Sequence, residues 1–162
     1  MTGNGTESAR GIYIASAEGD TGKSAVALGV LVQLAATGGR VGVFRPISRA
    51  AAGERDYILD LLIEYTSVDV PYEDCIGVTY DDVHADADGS IAEIVSRYHA
   101  VAEHCDNVLI LGSDYTDVAS PSELSYNARI AANLAAPMLL VVKALDRSPA
   151  DIKALVEMFT AD

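Results

Sequence analysis

Tryptophan is absent from this chain and phenylalanine occurs only twice, so that even with eight tyrosines the aromatic share is 6%. A core of this composition cannot rest on large rings. Its apolar half has to be packed from Val, Leu, Ile and Ala, the residues of a parallel sheet covered by helices on both faces. Cysteine is also scarce. Cys75 and Cys105 stand far apart without a C-x-x-C spacing or a secretory context, and read as two reduced, partly buried thiols rather than a disulfide framework. Positive charge is in deficit, with 11 Lys and Arg against 24 Asp and Glu and a net charge of −13. No basic cluster offers a nucleic-acid backbone a continuous track, so nucleic acid is not an expected partner. No run approaches the ~18 apolar residues of a membrane span, and MTGNGTESAR lacks a hydrophobic signal core. The expectation is a cytoplasmic protein with no membrane partner, a disordered lead over 1–10 and a single domain over 11–162.

What is present is concentrated between Ile12 and Ser24, IYIASAEGDTGKS. Tyr13, Ile14 and Ala15 make a short apolar strand, Gly19 and Gly22 allow a tight turn, and Lys23-Ser24 opens a long apolar helix. That is the order of a phosphate-binding loop. Successive backbone N–H groups of such a loop face phosphate oxygens, the lysine reaches the outer phosphates, and the following hydroxyl binds magnesium. The strict pattern G-x-x-x-x-G-K-[S/T] fails at its first position, which is Ala17. Glu18 and Asp20 also bring negative charge into the loop, where an incoming anion is repelled unless magnesium intervenes. An ordinary glycine-containing turn with a surface lysine is the alternative.

Downstream, the sequence alternates strand and helix. Lys23 to Thr37 is apolar nearly all round, which predicts a deeply packed helix stopped by Gly38-Gly39. VGVFRPI (Val41 to Ile47) predicts a second strand ended by Pro46. Arg45 falls at its carboxyl end, the edge where open α/β sheets bind ligands; it either contacts an anion there or pairs on the surface. Glu54 to Tyr65 predicts a helix with Tyr57, Ile58, Leu61, Leu62 and Tyr65 on its buried face and Asp56 near its start. A short strand is expected within Cys75 to Tyr80, in an otherwise polar loop. Ser90 and Glu93 form a capping box for a helix whose buried stripe is Ile91, Ile94, Val95, Tyr98, Val101 and Ala102. Two metal patterns fail on that segment: the calcium-loop spacing through Asp86, Asp88 and Gly89 lacks its closing glutamate, and His99, Glu103 and His104 fit no zinc spacing.

NVLILGSD (Asn107 to Asp114) is a buried strand ending in an acid. A carboxylate there can hold magnesium through water, completing what Ser24 begins, with Asp114 as first candidate and Asp117 and Asp56 behind it; alternatively Asp114 caps a turn. Ser120-Pro121 and Ser148-Pro149 punctuate two further helices, over Pro121 to Leu134 and Pro149 to Phe159, on either side of the strand MLLVVK (Met138 to Lys143). The sum is a three-layer α/β fold of the P-loop NTPase type, a mostly parallel sheet of about five strands with helices on both faces.

With these segments placed, the chain resembles the N-terminal P-loop domain of long-form phosphate acetyltransferases, a relative of dethiobiotin synthetase. SAEGDTGKS (Ser16 to Ser24) lies on the synthetase loop G-T-D-T-x-V-G-K-T. Arg45-Pro46 matches the basic-Pro pair that contributes to phosphate binding. GSDYTDVASPSELSYNARIAANLAAPMLLVVKALDRSP, with its S-x-N helix and A-x-L-x-A-P turn, is similar to the acetyltransferase domain, and the likeness runs over roughly Gly11 to Phe159. By this resemblance Glu18, Gly19, Asp20, Thr21, Gly22, Lys23, Ser24 and Arg45 bind nucleotide or phosphate, and Mg and ATP or another nucleotide are the implied cofactors. Gly112-Ser113-Asp114-Tyr115 departs from the synthetase glutamate and glycine-rich turn, so the carboxylating chemistry on a diamine looks lost. The resemblance implies further segments after this chain, among them a purine-reading strand and the acetyltransferase domain itself, which places the acetyl-transfer residues outside it and leaves no catalytic residue within it. The expected role is regulatory or structural, in a homo-oligomer, with a nucleotide or small metabolite as effector. An ATP-dependent ligase or ATPase, and a degenerate scaffold binding no nucleotide, are the alternatives.

Overall fold

The computed structural model describes residues 9–50, 53–113 and 121–160, with the backbone alone at 121 and 122. Its strands are β1 (Arg10–Ser16), β2 (Val41–Ser48), β3 (Ile76–Thr79), β4 (Asn107–Leu111) and β5 (Met138–Val141). All pair in parallel, in the order β3-β2-β4-β1-β5. The helices are α1 (Lys23–Ala36), α2 (Tyr57–Ile63), α3 (Tyr80–Ala85), α4 (Ala87–Ala102), α5 (Pro121–Asn133) and α6 (Pro149–Thr160), with a 3₁₀ turn at Tyr72–Cys75. This is the five-stranded, three-layer P-loop NTPase-like fold expected from the strand and helix alternation.

Side-chain alternation along the strands divides the core into two layers. Ile14, Val41, Val43, Leu109 and Leu111 meet Ala27 and Leu31 of α1 and Leu59 and Leu62 of α2. On the opposite face Tyr13, Phe44, Val108 and Ile110 meet Ile94, Tyr98 and Val101 of α4 and Ile130 and Leu134 of α5. Phe44 and Tyr98 pack edge to face with centroids 5.7 Å apart. Both cysteines are free and buried, and burial pushes the Cys75 thiol up to about 12. After β1 the chain crosses to β2 on one side, and after β4 it crosses to β5 on the other. The carboxyl ends of β1 and β4 therefore flank the topological switch point, where a doubly wound sheet opens a crevice.

Several local expectations are corrected. Helix α1 is not deeply packed: only Lys23, Ala27 and Leu31 are buried, while Val26 and Val32 are 36% and 41% exposed. Its apolar outer face misled the reading, because one layer of helix over a sheet needs only one buried stripe. Strand β2 does not stop at Pro46. Residues Val41 to Phe44 pair with β4 and Arg45 to Ser48 with β3, so Pro46 lies just past the last β4 pairing and its missing N–H is tolerated. In α2 the buried residues are Leu59 and Leu62, with Tyr57 78% exposed. The phase is set by Asp56, whose Oδ1 caps Ile58 and Leu59 at 3.0 and 3.2 Å while its second oxygen turns to β2. Helix α4 begins at Ala87, not after Ser90: Asp86 Oδ1 accepts from Gly89 N–H at 2.9 Å, and Ser90 is buried inside the helix. The short α3, with a Thr79–Asp82 capping box, was not anticipated. For α6 the expected start holds, since Ser148 and Asp151 cap each other reciprocally.

Candidate functional site

The site grows from the end of β1. Ser16 donates from Oγ to Glu18 O at 3.0 Å, and the chain then turns through two left-handed positions, Asp20 with φ of 54° and Gly22 with φ of 79°. A Cβ on Gly22 would meet no atom within 4 Å; the glycine serves the backbone angle and not the space. No side chain caps the start of α1, so its leading N–H groups remain directed at the loop, the arrangement that accepts phosphate oxygens.

Lys23 is the first residue of α1 and only 3% exposed. Its Nζ reaches across the crevice to the end of β4, donating to Gly112 O at 2.5 Å and Ser113 O at 2.9 Å. Arg45, also buried, approaches the same Gly112 carbonyl through Nη1 at 3.4 Å. The two cations predicted from separate motifs thus converge on one peptide oxygen. Arg45 Nε lies 2.6 Å from Asp56 Oδ2, a close charge contact without the alignment of a hydrogen bond. With Oδ1 on the α2 amides and Oδ2 on Arg45, Asp56 is engaged as a helix cap and counter-ion, and a magnesium ion there would have to displace a guanidinium.

Glu18, a source of concern as a negative charge in the loop, is held by Arg147 in a two-pronged pair, Nη1 to Oε2 at 2.8 Å and Nη2 to Oε1 at 2.6 Å. Arg147 also donates to Lys143 O at 2.9 Å. That guanidinium holds the Glu18 carboxyl below its ordinary range. Asp20 is exposed, Gly19 and Thr21 are half-buried, and Ser24 opens onto a neighbouring cavity. Asp114 and Asp117 lie outside the described residues. Among the described residues no group of three or more His, Cys, Asp or Glu side chains could hold a metal ion.

The turn that receives Lys23 is itself fixed by α5. Asn127, fully buried, accepts at Oδ1 from Tyr13 Oη at 2.7 Å and from Ser113 N–H at 3.1 Å. Its amide nitrogen donates to Ser113 Oγ and Glu123 O, both at 3.0 Å, and Ser113 Oγ donates to Glu123 Oε1 at 2.8 Å. Burial pushes the Tyr13 phenol well above its usual range, so it remains a neutral donor. Gly112 has no room for a side chain: a Cβ would lie 2.6 Å from Asn127 Oδ1 and 2.7 Å from Tyr13 Cε1. Sequence patterns located Lys23, Ser24, Arg45 and the S-x-N element containing Asn127. They carried no signal for Arg147, 129 residues from its partner.

The comparisons with known proteins bear on the family and the fold. The AAA domain model matches residues 10–162. A phosphate acetyltransferase of Synechocystis sp. (strain PCC 6803) is 31% identical over 153 residues, covering 91% of this chain, and one of Nitratidesulfovibrio vulgaris (Hildenborough) is 28% identical over the same share. The chain spans only 22% of the length of either relative. Among solved structures, the signal recognition particle receptor FtsY from Elizabethkingia anophelis superposes with a TM-score of 0.58 at 21% identity, over 96% of this chain and 49% of that one. That likeness concerns the fold.

Proposed function

Since the chain belongs to the AAA domain family, we propose that it is the P-loop domain of a phosphate acetyltransferase, regulatory or structural in role. It has no catalytic residue of its own, and the acetyl-transfer site, which interconverts acetyl-CoA plus phosphate with acetyl phosphate plus CoA, lies elsewhere in the longer chain. One observation carries the reading. Three charged groups in and beside the loop are bound within the protein, Lys23 to two carbonyls, Glu18 to Arg147 and Arg45 to Asp56. Such an arrangement suits a pocket that reports a ligand better than one that turns it over.

The residues present fit a nucleotide phosphate. The uncapped N–H groups after Gly22 and the Lys23 ammonium would hold it, and the Ser24 hydroxyl would supply a magnesium ligand, joined by a carboxylate from Asp114. Bound magnesium would neutralise phosphate charge. The partner is the rest of the acetyltransferase chain, in a cytoplasmic homo-oligomer. Among the described residues no helix is long and apolar enough to cross a membrane.

Steady-state assays of the full-length acetyltransferase test the reading. Lys23→Ala is expected to leave acetyl phosphate formation intact and to abolish its response to ATP. If the 162-residue chain alone releases phosphate from ATP at a steady rate that Asp114→Asn removes, the domain is an ATPase or ligase and the regulatory reading is wrong.

A further inference from the structure

Of the two acids in the phosphate loop, Asp20 is exposed and Glu18 half-buried. Solvent screens the first. A bare carboxylate at the second would oppose a phosphate in two ways. It would repel the ligand's charge at close range in a partly desolvated loop. As a strong acceptor it would also compete for the leading N–H groups of α1, which need a partner from outside the helix.

Arg147 answers both objections. Its fork gives one N–H to each oxygen of Glu18, Nη1 to Oε2 at 2.8 Å and Nη2 to Oε1 at 2.6 Å, the two-pronged geometry that matches a carboxylate. Among the described residues no loop N–H donates to the Glu18 side chain. The guanidinium is itself aimed by the turn between β5 and α6. Asp146 stands in the left-handed region with φ of 59°, Arg147 N–H donates to Ala144 O at 3.2 Å, and Nη1 donates a second time to Lys143 O at 2.9 Å. One residue further on, Ser148 and Asp151 fix the start of α6. An arginine anchored in this way keeps its fork on Glu18. The pair is 30% and 23% exposed, and ion pairs of that exposure add little to stability. Its position beside the phosphate loop gives it a different task.

Resting on the reading of the loop as a phosphate site, we propose that Arg147 is a positioning residue for the loop's ligand. It acts through Glu18, cancelling the charge of the acid and holding its carboxylate off the N–H groups and the Lys23 ammonium that would receive phosphate. The guanidinium does not touch the ligand. Glu18 and Arg147 are then one unit: loss of the arginine alone leaves an opposing charge in the loop, and loss of both leaves none.

Calorimetric titration of the 162-residue chain with ATP and with GTP, each with magnesium, and with inorganic tripolyphosphate selects the probe that wild type binds most tightly. That probe is carried through a double-mutant cycle. Arg147→Gln is expected to weaken binding by about tenfold or more, the effect of one uncompensated charge beside a polyanion. Glu18→Gln is expected to bind at least as tightly as wild type, and the double variant to return to within about threefold of it. A merely structural role does not produce that rescue, because the double variant lacks the same pair and carries any defect of folding with it. A double variant as weak as Arg147→Gln overturns the inference, as does Arg147→Gln that binds like wild type. If wild type binds none of the three probes, the phosphate-site reading fails and this inference falls with it; either of the other failures leaves that reading standing.

Discussion

Lys23 combines two tasks that mutation separates poorly. Its ammonium satisfies the Gly112 and Ser113 carbonyls in a buried turn, so Lys23→Ala is expected to cost about 2 kcal/mol of stability in urea unfolding, before any ligand is considered. A thermal-shift comparison of this variant therefore mixes lost binding with lost stability, and calorimetry is the cleaner readout. Glu18 makes a pH-dependent contribution of known sign. Its folded carboxyl titrates below the ordinary 4.5 because Arg147 stabilises the anion, so the stabilisation is present above the unfolded value and disappears as pH falls through the folded one. Glu18→Gln is accordingly expected to lower the melting temperature at pH 7 and to match wild type once both carboxyls are protonated in strong acid. Equal losses at both pH values would mean that packing, not charge, holds the loop to Arg147. Gly112→Ala is expected to destabilise by about 1–3 kcal/mol, since its Cβ has nowhere to go beside Asn127 and Tyr13.

At the scale of elements, capping explains most of what was misplaced. Asp86→Ala is expected to cost about 1 kcal/mol by removing the acceptor for Gly89 N–H, and Ser90→Ala to fall within roughly 0.5 kcal/mol of wild type; urea unfolding of the pair discriminates the observed helix start from the expected one. The capping box read at Ser90 lies four residues beyond the observed cap, and the local pattern could not say that α3 would stop where Asp86 serves both helices. Strand order was likewise beyond reach, since β4 inserts between β2 and β1 and no periodicity records which neighbour a buried strand takes. Existence and type of the strands, of α1 and of α4 to α6 were legible because their apolar spacing is strong. The positions of Lys23 and Ser24 at the start of α1 were legible because a phosphate loop demands fixed residue types at fixed spacing, and that of Arg45 because it falls near the carboxyl end of an apolar strand. Arg147 was not, because a salt bridge requires only proximity in space.

For the whole molecule, the net charge of −13 sets a prediction opposed to that of most ion-pair arguments. Self-repulsion of excess carboxylates weakens the compact state, and the exposed pairs Arg40–Asp106, Arg55–Asp60 and Arg97–Glu93 each offset it only slightly. Raising salt from about 10 mM to about 0.15 M, which shortens the screening length from roughly 30 to 8 Å, is expected to raise the melting temperature. A fall would show that the pairs outweigh the repulsion. The Gly112 carbonyl, finally, sets a threshold for any guest of the crevice, because it already holds the Lys23 ammonium. A guest that would recruit Lys23 must outbid two peptide dipoles for the ammonium, which a multiply charged phosphate chain can do and an uncharged nucleoside cannot. The Gly112–Ser113 turn is held from one side by Lys23 and from the other by Asn127, so the start of α1 and the helix α5 on the opposite face of the sheet are joined through a single peptide turn.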